Sequence, residues 1–112
     1  MFVLELGGDD DAFAAAEARV AAPDADVAAP GLATASSLDA DRLRGLAYTH
    51  RAGEHVATTE ADISAAADAL QDAPVERDGT VAVRARNVRN TTDVDTQAAE
   101  RELGGVLVDA GF

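Results

Sequence analysis

Any core built by this chain has to be assembled largely from alanine. Of its 112 residues 27 are Ala, whereas the large aromatics amount to three Phe and one Tyr, with no Trp. A chain of this length forms one small domain or two small units, and it lacks the bulk for a large core. Hydrophobic residues nevertheless make up 47% of it, and they fall into periodic segments. Disordered acidic tails have neither property.

The charge is extreme for so small a protein. Twenty-one Asp and Glu face nine basic residues, giving a formal net charge of −12, and all nine are Arg. Fourteen of the acids are Asp and there is no Lys. Carboxylates in this density repel one another unless they are screened, and the Debye length falls to about 3 Å at about 1 M salt. The composition is that expected of a halophilic protein working in concentrated salt. The absence of cysteine excludes disulfides, thiolate metal sites and cysteine nucleophiles. No apolar run approaches the ~20 residues of a membrane span, and Glu5 with Asp9–Asp11 opposes a signal peptide. A cytoplasmic protein with no membrane partner is expected.

Along the chain, "FVLEL" (2–6) reads as a strand, Gly7-Gly8 as a tight turn, and the three aspartates that follow as the acidic first turn of a helix. Phe13, Ala16 and Val20 mark the face that helix is expected to bury before Pro23. Residues 26–36 are extended and broken by Pro30-Gly31, and Leu46–Thr49 is expected to form a strand. A helix over 58–70 opens on capping threonines, with Ile63, Ala66, Ala67 and Leu70 at helical spacing. Asp78-Gly79 is a turn, and 80–88 alternates as a strand with Val81, Val83 and Ala85 on one face. Residues 95–112 form a helix presenting Ala99, Leu103, Val106, Leu107 and Ala110, with Gly111 at its end. The order β-α-β-β-α-β-α predicts an α+β fold with a small mixed or antiparallel sheet. The boundary is expected near 57–59.

No catalytic constellation stands out. "VLELGGDDDAF" has the strand and glycine pair of a nucleotide site, but aspartates stand where further glycines would let a ligand approach. His50 and His55 are the only histidines and do not share a helical face, so no metal site is expected. The basic residues carry more information. Residues 42–53 and 79–92 contain no acid, yet these 26 residues hold six of the nine arginines. Surface pairing with carboxylates accounts for arginine being present but not for acids being absent. Two basic islands on an acidic chain fit an anionic partner, and arginine reads phosphates and bases with a bidentate, stacking group.

"GTVAVRARNVRNTT" followed by "DTQAAERELGGVLVDAGF" resembles the core of a THUMP domain. "FVLELGG", "GLAT" and "RLRGLAYTHRAGEHV" resemble the ferredoxin-like domain that precedes THUMP in RNA-modifying enzymes. The whole chain is similar to the N-terminal region of haloarchaeal tRNA (guanine-10, N2)-dimethyltransferases. The resemblance implies a ferredoxin-like unit over 1–57 and a THUMP unit over 58–112 that stops before its final strands. It implies a non-catalytic tRNA-binding module for the acceptor 3′ end, with Arg84, Arg86, Arg89, Asn90 and Thr91 as RNA contacts. Arg44, His50 and Arg51 are weaker carry-overs from the first unit. The family's methyltransferase domain, its motif and its S-adenosylmethionine site are not in this sequence, so no cofactor is expected here. Two other readings stay open: a ferredoxin-like protein-interaction or regulatory domain with no RNA role, which would expose an apolar patch, and a domain binding a small anion at Gly7-Gly8.

Overall fold

Five β-prone residues at the start form the strand around which the first half of the chain assembles. The computed structural model describes residues 1–72 and 79–112. β1 (Phe2–Leu6) pairs antiparallel with β3 (Leu32–Ala35) on one side and with β4 (Thr49–Glu54) on the other. β2 (Asp26–Ala29) adds to the far side of β3, so the sheet order is β2-β3-β1-β4, antiparallel throughout. The segment around Pro30-Gly31 is thus a hairpin of two strands, with Gly31 at φ +75° and its amide donating to the Asp11 carboxylate at 2.9 Å.

Helix α1 (Asp11–Ala18) links β1 to β2 and is capped by Asp10, whose carboxylate accepts from the Phe13 amide at 3.1 Å. Its buried face consists of Ala14, Ala15 and Ala18, continued beyond the helix by Ala22 and Ala25. These methyls pack on Leu4, Leu6, Ala33 and Ala35 of the sheet, and among the described residues Leu4 is the one large side chain that is completely enclosed. The expected burial of Phe13, Ala16 and Val20 is therefore corrected: all three are exposed, Phe13 by 58% and Val20 by 56%. Alanine spacing is as helical as that of the larger residues. An inner face of methyl groups lets the helix backbone approach the sheet closely, and the bulky side chains then have room only outside.

A four-residue helix α2 (Ala40–Leu43), capped by Asp39, joins β3 to β4. The strand expected at Leu46–Thr49 begins only at Thr49. The reason is that the amides of Ala47 and Tyr48 donate to the Glu17 carboxylate (3.1 and 2.9 Å) rather than to a neighbouring strand. Ser36 is tied back to Asp24 through both its amide and its hydroxyl, and the hydroxyl contact chiefly holds the Asp24 carboxyl below its ordinary range.

The chain divides into two compact units, Met1–His55 and Val56–Phe112. In the second, α3 (Ile63–Gln71) packs on α4 (Thr96–Asp109). α3 starts later than the threonines at 58–59 suggest, because Asp62 supplies the cap to Ser64 and Ala65 while the Thr59 hydroxyl donates to the Glu60 carbonyl. α4 is capped by Asp95 and closes on Gly111, whose φ of +124° lets its own amide reach Val108 and that of Phe112 reach Leu107, a Schellman closure. Of the expected α4 face, Ala99 and Leu107 are buried and Leu103, Val106 and Ala110 half-buried. Half of the expected Asp78-Gly79 turn, Asp78, lies outside the described residues, and Gly79 has a φ of +80°. Among the described residues the molecule is α+β, with one four-stranded sheet and four helices, and no helix is long and apolar enough to cross a membrane.

Alanine at the helix–sheet contact has a measurable consequence. Ala18 is completely buried, so Ala18→Leu should destabilise the protein by ~1–3 kcal/mol through overpacking, whereas exposed Val20→Ser should change it by less than about 0.5 kcal/mol. Urea unfolding midpoints for the two variants check this.

Candidate nucleic-acid interface

The strand expected over 80–88 is not formed: residues 80–87 belong to no strand, and a single 3₁₀ turn covers Val88–Asn90. Val81, expected on the inward face, is exposed, but from residue 82 the alternation behind that expectation is present in the burial. Val83, Ala85 and Asn87 are half-buried, while Ala82, Arg84 and Arg86 are exposed. The partner is helix α4 instead of a strand. The Ala85 amide donates to Glu100 Oε1 at 3.0 Å, and a side chain at Gly104 would touch the Val83 methyl at 3.9 Å. Two extended residues advance about 6.6 Å and four helical ones about 6 Å. The match between 83→85 and 104→100 therefore describes a chain running extended and antiparallel along α4. Its inward residues touch the helix, and Arg84 and Arg86 face solvent.

Beyond it, the loop is closed by its own side chains. Asn87 accepts from the Thr92 amide (3.3 Å) and hydroxyl (3.0 Å), and its amide nitrogen donates to the Thr92 carbonyl at 2.8 Å. Inside this clasp Arg89 and Asn90 both take left-handed backbone, at φ +61° and +51°. That conformation costs an L-residue roughly 1–2 kcal/mol, and it is held here because the clasp fixes both ends of the loop. Arg89, Asn90 and Thr91 are exposed at its tip. One short segment thus presents Arg84, Arg86, Arg89, Asn90 and Thr91 together. Arg84 also donates to the Val83 carbonyl at 3.0 Å.

The residues of the first unit are placed differently. Arg44 caps the end of α2 and is exposed. Arg51 lies opposite Glu5 across β1 and β4 and meets its carboxylate at 3.9 Å, a loose pair in which Arg51 is exposed and Glu5 largely buried. His50 is the extra residue where the β1–β4 register shifts, between the pairs Leu6↔Thr49 and Glu5↔Arg51. Such a bulge re-aims its side chain, and the His50 imidazole lies over Gly7, where any Cβ would collide with the ring. Gly8, which has a φ of +77°, lies under the Tyr48 ring, which a Cβ there would approach to 3.1 Å. The His50 ring accounts for Gly7, and the positive φ with the nearby Tyr48 ring accounts for Gly8. Acid-free in sequence is also not acid-free in space: Glu5 reaches Arg51, and Asp39 reaches Arg42 at 3.5 Å.

The Asn87–Thr92 clasp and the Glu100 anchor were not foreseen. Asn87, Thr92 and Glu100 are visible in the sequence, but a clasp across five positions and a helix-to-chain contact across fifteen leave no periodic signal. Comparison with known proteins gives no match to any protein family, curated protein or solved structure.

Removing the clasp should release the loop. Asn87→Ala is expected to lower stability by ~1–2 kcal/mol and to speed exchange of the Thr92 amide. Arg89→Gly, which relieves the left-handed strain, should not lower stability. Urea midpoints and amide exchange by NMR check both; unchanged Thr92 exchange in Asn87→Ala would contradict the clasp.

Proposed function

We propose that this chain is a non-catalytic RNA-binding module and that the segment 84–91 holds the acceptor 3′ end of a tRNA. The observation that carries the reading is the outward set of Arg84, Arg86, Arg89 and Asn90 on a segment anchored to α4 and closed by the Asn87 clasp. Anchoring matters because a guanidinium on a fixed backbone loses less entropy when it pairs with phosphate. Arg84 and Arg86 suit phosphates along the strand, and Arg89 with Asn90 suits a sugar or an unstacked base. Concentrated salt weakens the contribution of counterion release, which favours such geometric contacts.

The topology of the first unit supports the reading. The order β1-α1-β2-β3-α2-β4 with the sheet β2-β3-β1-β4 suits a ferredoxin-like unit, the kind that precedes THUMP in the resembled enzymes. The tRNA substrate class is taken from that resemblance, as is a methyltransferase domain using S-adenosylmethionine elsewhere in the parent protein. The absence of a strand over 80–88 departs from a THUMP pattern, so the basic segment bears more of the argument than the fold. Arg44, His50 and Arg51 are weaker contributors, since Arg51 meets Glu5 and His50 packs over Gly7. The rival protein-interaction reading is favoured by one observation, the exposure of Phe13 on α1 and of Val20 just beyond it.

The test compares tRNA acceptor hairpins with and without their unpaired 3′ nucleotides, at about 0.2 M salt so that phosphate contacts remain measurable. Trimming the 3′ end and Arg89→Ala should each weaken binding by roughly five- to tenfold, and Arg84→Ala should weaken both hairpins alike, by ~1 kcal/mol. If trimming has no effect and Arg89→Ala matches the exposed control Arg101→Ala, the reading is wrong.

A further inference from the structure

We draw no further inference here: the strongest candidate, the surface patch formed by Phe13 on α1 and Val20 just beyond it with the recess beside Leu38, is an unpartnered face, and nothing in the structure shows what covers it.

Discussion

The layer of alanine methyls between α1 and the sheet is the contact on which the first unit depends. Ala14, Ala15 and Ala18 meet Leu4, Leu6, Ala33 and Ala35, and none of the helix residues in this layer is larger than a methyl. Each such side chain removes little apolar area from water, at about 25 cal/mol per Å², but it also loses no rotamer freedom on burial. A small core is built from side chains that cost little to order. Substituting bulk anywhere along it would push the helix off the sheet.

Much of the remaining organisation is done by aspartate. Asp10, Asp39, Asp62 and Asp95 each accept backbone amides at the start of a helix. Asp11 holds the β2–β3 turn, Asp24 holds Ser36, and Glu17 and Glu100 hold the 47–48 and 85 amides. An acidic composition is therefore not solely a surface adaptation. A good part of it satisfies backbone donors that short helices and short strands leave open. These carboxylates work at the surface, where the capping aspartates remain exposed, and Arg84, Arg86 and Arg89 are exposed as well.

This division explains what could be read from the residues alone. β1, the hairpin break at Pro30-Gly31, and α4 with its glycine closure were legible, because each depends on neighbours within a few positions. The α1 face was misread because size was taken as the sign of burial, whereas close approach selected the smaller residues. β4 started late because a carboxylate thirty positions away, Glu17, had taken the amides of 47 and 48. The expected 80–88 alternation holds from 82 to 87 but not at Val81, which is exposed; period two records only that one side is covered, and α4 rather than a strand covers it. Of the candidate site, the arginines and Asn90 were legible by charge, and the Asn87 clasp that shapes their loop was not.

Two features follow from these packing choices: an arginine-bearing segment fastened to α4 in the second unit, and a Phe13 ring turned outward from α1 in the first. Both depend on which side chains turn inward. The most direct check is a methyl and aromatic NOE spectrum of the protein. The methyls of Ala14, Ala15 and Ala18 should show contacts to Leu4, Leu6 and Ala33, and the Phe13 ring should contact Tyr48 and none of those three. Contacts from the Phe13 ring to Leu4 or Leu6, with the Ala15 and Ala18 methyls facing solvent, would contradict the account.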